Sequence, residues 1–176
     1  MPKPRSFRTA LAAAALALAP ALPAPAAAAG DSGDLVSVQR MSMELARDIA
    51  DGAVKACRAK GYQVSAVVLD RNGDTQALLR DVYAPRMTMD IARRKAGAVI
   101  LSGTASARLD ADRPDISSDL NNLDEVLTMA GGLPVEAQGA MVGAVAVSGA
   151  PGGDIDAECA QAGLDAVSDR LQFGGL

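Results

Sequence analysis

Asn72 and Gly73 constrain this chain more than any other pair of neighbours. An Asn-Gly step between apolar runs supplies the two positive-φ residues of a tight turn and so predicts a β-hairpin. Before it, Val64, Ala66, Val67, Val68 and Leu69 form an apolar run of strand length. Residues 75–80 are the returning strand. Residues 125–129, 133–136 and 141–148 read as three more strands, turned at Gly131-Gly132 and Gln138-Gly139. Val142, Val145 and Val147 mark the last of these as buried. Tight turns between neighbours make the sheet mainly antiparallel.

Helical spacing flanks these strands. Ser42 is placed to cap a helix over residues 43–60, with Leu45, Ile49, Ala53, Ala56 and Cys57 on one face and Gly61 ending it. Thr88 is expected to cap a second helix over 89–101, with Arg93, Arg94 and Lys95 on its polar sides. Residues 103–114 read as irregular, with one turn near 105–109, and 116–123 as a loop or short helix. Asp154 or Asp156 is expected to cap a last helix reaching about residue 171. Helix, hairpin, helix, three strands, helix is an α+β sandwich and not a dinucleotide-binding fold.

The first residues follow a different rule. Lys3, Arg5 and Arg8 precede an apolar run over 10–19, then Pro20, Pro23 and Pro25, then small residues with an Ala27-x-Ala29 cleavage option. That order predicts a secretory signal peptide over residues 1–29 and a periplasmic or secreted product. The run is too short to span a bilayer, so no membrane insertion is expected after cleavage. A flexible lead-in over 30–40 and a single domain over 41–172 complete the expected organisation. The leader removes three of 17 basic residues, against 21 acidic ones, and leaves a charge of about −7. A domain this acidic is a poor partner for nucleic acid.

Histidine is absent from the chain. Ser–His–Asp and Cys–His catalysis are therefore excluded, as is imidazole ligation of zinc, copper or heme. Cys57 and Cys159 leave no zinc set; they either pair in a long-loop disulfide, which export permits, or pack as small hydrophobes. The acidic stretch between Asp110 and Asp124 lacks the spacing of a calcium loop and reads as solvated surface. The loop over residues 149–153 can lend N–H groups to an anion at the last helix start, or serve only as a turn.

Residues 80–89 are the best candidate site. Arg80, Asp81, Tyr83, Arg86, Met87 and Met89 mix cations, a phenol and thioethers, and lead into Arg93, Arg94 and Lys95. Such a set suits a carboxylate-bearing ligand, with Tyr83 or a Met able to reach iron. The same residues also fit a filled core and a solvated cationic face.

Val67-Val68-Leu69-Asp70-Arg71-Asn72-Gly73, Ile91-Ala92-Arg93-Arg94-Lys95-Ala96, Gly131-Gly132-Leu133-Pro134-Val135 followed by Val142-Gly143-Ala144-Val145-Ala146-Val147-Ser148-Gly149, and Asp156-Ala157-Glu158-Cys159-Ala160-Gln161-Ala162-Gly163 occur in that order. Together they resemble the GlcG/HbpS-like heme-binding (heme-degrading domain) family over about residues 41–171. The resemblance implies a profilin-like sandwich: a five-stranded antiparallel sheet with helices on both faces. It implies a homo-oligomer and a packing role for Cys159. It also implies an exported protein that binds a small molecule, heme or a related tetrapyrrole, and assists its breakdown. Relatives of this kind also include oligomeric accessory redox sensors, and an enzyme acting on a small carboxylated metabolite is the third reading. Members commonly carry Arg-Met-Asp-Gly-Ala-Pro before the second helix, where this chain has Arg80-Asp81-Val82-Tyr83-Ala84-Pro85. A ligand site there should therefore differ from the common one. The expected ligand-binding set is Arg80, Tyr83, Arg86, Met87, Arg94, Gly131 and Gly132. Heme would need an oxygen, thioether or water ligand, because no histidine exists to hold it.

Overall fold

The hairpin forms around the Asn-Gly step, although Gly73 and not Asn72 takes a positive φ and the turn is longer than the two residues expected. In the computed structural model β1 (Ser65–Asp70) and β2 (Thr75–Arg80) pair antiparallel, and the Asp70 carboxylate accepts from the Asn72 and Asp74 N–H groups to close the turn. The structure describes Asp34 and residues 36–174. The expected leader over 1–29 lies outside the described residues, as do 30–33 and 35 of the lead-in. Asp34, Val36 and Ser37 are exposed and belong to neither helix nor strand. The elements below all fall in the unit that begins at Val38.

Ser42 caps α1 (Met43–Ala59) as expected, its hydroxyl accepting from the Leu45 N–H. After the hairpin come α2 (Met87–Ser102), α3 (Ser106–Asp112) and α4 (Pro114–Leu120). Then follow β3 (Gly132–Ala137), β4 (Ala140–Ser148), α5 (Gly153–Asp165) and α6 (Ser168–Phe173). The sheet is antiparallel throughout, in the order β2-β1-β4-β3. β1 is central and apolar on both faces, as a strand covered on both sides must be. Ala66 and Val68 join Val145 and Val147 of β4 against Ile49, Ala53 and Cys57 of α1 and Ala160 of α5. Val67 and Leu69, with Ala144 and Ala146, face Ala92, Ala96 and Val99 of α2. Helices therefore cover both faces of the sheet. No helix among the described residues is long and apolar enough to cross a membrane.

Four strands form among the described residues, where five were expected. Residues 125–129 are not a strand because α2, Asn121 and Ser106 take up their backbone groups instead. The Arg94 guanidinium donates to the carbonyls of Asn121, Leu123 and Val126, and the Leu127 N–H donates to the Arg94 carbonyl. Gly97 permits this docking, since a Cβ there would collide with the Glu125 carbonyl oxygen. Gly97→Ala is accordingly expected to lift this segment off α2 at a cost of about 1–3 kcal/mol, measured as a fall in the urea midpoint.

Three smaller expectations are corrected. Thr88 lies inside α2, and its hydroxyl donates to the Pro85 carbonyl rather than capping the helix. The region over 103–114 carries a seven-residue helix rather than a single turn. The last helix is two, α5 and α6, and α5 begins at Gly153 with no side-chain cap.

The open choice for the cysteines resolves as a disulfide. Cys57 of α1 and Cys159 of α5 are bonded, with Cα atoms 5.4 Å apart and 102 residues between them in sequence. Both are fully buried, so Cys159 packs and bridges at once, which corrects the implied packing-only role.

Candidate functional site

A cleft of about 400 Å³ opens where the start of α2 meets the loop into α5. Thr88, Ile91 and Lys95 of α2 form one wall, Leu127 and Met129 a second, and Ser148 with residues 149–153 the third. Its floor is polar. The Lys95 ammonium, 2% exposed, donates to Asp156 Oδ2 at 2.8 Å and to the Val147 carbonyl at 3.2 Å. The other Asp156 oxygen accepts from the Ala150 N–H at 3.0 Å and so ties the loop down. Burial pushes the Asp156 carboxyl above its usual range, while the Lys95 hydrogen bond and charge and the Ala150 N–H pull against that rise. Gly131, with a φ of 124°, passes against Lys95 Nζ and the Val147 carbonyl where no side chain would fit.

Further hydroxyls sit beside the pair. Ser65 and Thr88 are hydrogen-bonded at 2.7 Å across β1 and α2. Ser106 donates to the Met129 carbonyl and accepts from the Gly132 N–H, fixing the start of β3. Among the described residues no three Cys, Asp or Glu side chains converge as a metal cluster.

The seven expected ligand residues fall into three groups. Gly131 and Gly132 lie against Lys95 and line its surroundings. Arg94 is taken up in holding residues 121–126, and its Nε has no partner. Arg80, Tyr83, Arg86 and Met87 are exposed around the turn before α2. Arg80 donates to the Ala84 carbonyl at 2.6 Å, shaping that turn. Tyr83 is 82% exposed and Met87 68%; with Val82 they are the exposed apolar side chains of this rim, close in sequence to Pro85 and Thr88, which line the cleft, though none of the three lines it.

Asp81, out of register with the family pattern, points away from this rim. It is buried against α1, where Arg58 donates to both its oxygens at 2.7 and 3.1 Å. The Arg58 hydrogen bond, with its charge, holds the Asp81 carboxyl below the usual range. The folded state thus prefers the ionised form, and the gain exists above the ordinary aspartate pKa of about 3.9. It is lost as pH falls through the lower folded value. Asp81→Asn should lower the urea midpoint at pH 7, and the gap from the parent should shrink by pH 3.

Lys95 and Asp156 are the residues the sequence reading missed. Lys95 was assigned to the polar side of α2, yet Thr88, Ala92, Lys95, Ala96 and Val99 share the sheet-facing stripe. That 3–4 spacing was the available signal. A lysine on it requires a buried carboxylate, and Asp156 in the first turn of α5 supplies one.

A family model described as "Haem degrading protein HbpS-like" matches residues 41–165. A doubly Glu-to-Asp-substituted HbpS from Streptomyces reticuli is 36% identical, with a TM-score of 0.71 over 82% of this chain and 99% of that one. The Klebsiella pneumoniae protein ORFY is 26% identical, with a TM-score of 0.70 over 76% of this chain and 94% of that one. PduOC, solved as a heme complex, shares the fold at 22% identity and a TM-score of 0.65, over 73% and 95% of the two chains. Comparison with curated proteins gives no match.

Proposed function

The chain belongs to the HbpS-like heme-degrading protein family, and from that premise we propose that it is an exported binding protein for heme or a related tetrapyrrole. The family match across nearly the whole folded unit carries this reading. In it, the leader over 1–29 is cleaved after Ala29, and one domain over 41–172 acts in the periplasm or outside the cell. Mass measurement of the product recovered outside the cytoplasm should then give a chain beginning at Gly30.

The ligand's apolar plane lies on the rim of Val82, Tyr83 and Met87, with Arg80 and Arg86 beside it and Gly131 and Gly132 behind the cleft. With no histidine in the chain, Tyr83 and Met87 are the side chains on this rim with atoms able to reach iron. Bound there, heme would be held at the protein surface, open to oxidants, which suits assistance in its breakdown.

Titration with hemin tests this. A saturable Soret shift is expected, weakened by Tyr83→Phe combined with Arg86→Ala. No saturable shift sinks the heme reading. The exposed apolar rim also favours a second reading, an oligomeric accessory protein that associates through this surface. Sedimentation of the parent against Val82→Glu with Met87→Glu separates the two: loss of the oligomer with unchanged hemin binding supports the second.

A further inference from the structure

Three features converge on the cleft floor that the tetrapyrrole reading does not use. Ser148 is the first. It is 5% exposed, lines the cleft, and its hydroxyl makes no hydrogen bond among the described residues. Its register partner Ser65 is occupied with Thr88, so the two serines stand side by side on the same sheet face with only one of them satisfied. Arg94 Nε is the one fully buried side-chain polar atom without a partner among the described residues, so the Ser148 hydroxyl keeps contact with the cleft space. Such a group in a cleft wall is completed by what enters the cleft.

The start of α5 is the second feature. This helix has Gly152 at its cap with no side-chain hydrogen bond, and its first backbone bond is donated by Asp156 to the Gly152 carbonyl. The N–H groups of Gly153, Asp154 and Ile155 are therefore free, at the positive end of a thirteen-residue helix. Gly152 and Gly153 line the cleft beside those amides. Lys95 is the third. An ammonium carries three donors, and only two are used, on Asp156 and Val147.

From Ser148, the α5 amides and the third Lys95 donor, we propose that the cleft floor is a carboxylate-binding subsite that anchors the acidic arm of a ligand. Of the carboxylates near these donors, Asp156 is paired with Lys95. Asp154 is exposed in the first turn of α5 and folds back toward Gly152, where it competes with the ligand for the same amides. The proposal deepens the tetrapyrrole reading and rests on it only for the source of the carboxylate. The propionate arm of a tetrapyrrole and a free small carboxylic acid present the same group.

Amide chemical-shift mapping on the mature chain, with protoporphyrin IX, its dimethyl ester and sodium propionate as probes, tests this. The metal-free porphyrin removes iron ligation from the comparison. Shifts at Ser148, Gly152, Gly153 and Asp154 are expected with protoporphyrin IX and not with the ester. Ser148→Ala should weaken that binding by roughly ten-fold, as loss of one hydrogen bond to a charged group does. The same variant should leave the urea midpoint unchanged or raised, because its hydroxyl has no partner in the folded protein. Asp154→Asn should tighten binding. If propionate shifts these amides while neither hemin nor protoporphyrin IX binds, the subsite stands and the tetrapyrrole reading falls. If hemin and both porphyrins bind equally, and Ser148→Ala changes nothing, the subsite is overturned and the tetrapyrrole reading survives. If no probe shifts these amides, the subsite is overturned.

Discussion

Asp156→Ala is expected to cost about 3–5 kcal/mol, a large share of the ~5–15 kcal/mol that holds a domain of this kind together. The loss is steep because it strands the Lys95 ammonium, 2% exposed, beside Gly131 and the Val147 carbonyl with no counter-charge. It also frees the Ala150 N–H and with it the loop into α5. Lys95→Met combined with Asp156→Leu should recover most of the loss, because two desolvated charges leave together and apolar volume replaces them. Urea unfolding of the parent, the single and the double variant measures both effects. A single variant that melts at the parent midpoint would show that water reaches the pair. The carboxyl adds a pH signature. Burial raises its pKa, so the folded state holds that proton more tightly than the unfolded chain. Its contribution to stability is largest below the ordinary aspartate value and declines as pH rises through the raised one. The stability of the double variant relative to the parent should therefore improve from pH 4 to pH 7.

Cys57→Ala with Cys159→Ala is the second large effect. The bridge closes a loop of 102 residues, for which the chain-entropy account gives about 4–5 kcal/mol. The core it crosses is built from Ala and Val, so few large side chains are present to offset that loss. Guanidinium unfolding with and without reductant is the measurement. The parent in reductant should fall to the midpoint of the double variant, which reductant should leave unmoved. Equal midpoints for parent and variant in oxidant would place the stability elsewhere.

What the sequence made legible divides along physical lines. The hairpin, α1 with its Ser42 cap, and β4 were all readable, since each is set by neighbours close in sequence. The misread parts depend on partners distant in the chain. Residues 125–129 have strand composition, but Arg94 claims the carbonyls around them from 27 to 32 positions away. Lys95 looks solvated until Asp156, 61 residues on, is set against it. Asp154 and Asp156 both look like caps for α5, yet one is exposed and the other is committed to a buried lysine. The loop before α2 stands out in the sequence, and the cleft floor does not. Exposed Tyr83 and Arg86 are visible as an unusual composition. Ser148 at the end of a Val/Ala strand carries no mark until its neighbours are known to be occupied.

The bridge between α1 and α5 also bears on how the chain is made. Synthesis runs from the N-terminus, so Cys57 emerges about a hundred residues before its partner exists. Throughout that interval it is an unpaired thiol on an isolated helix, and the sheet that will bury it is incomplete. Oxidation must therefore follow β4 and α5 rather than guide them. Any oxidant that reaches the growing chain early meets a lone thiol whose only available partners are foreign ones. This places the demand for correct pairing on timing: the domain has a single pair to make and no wrong internal pair to choose.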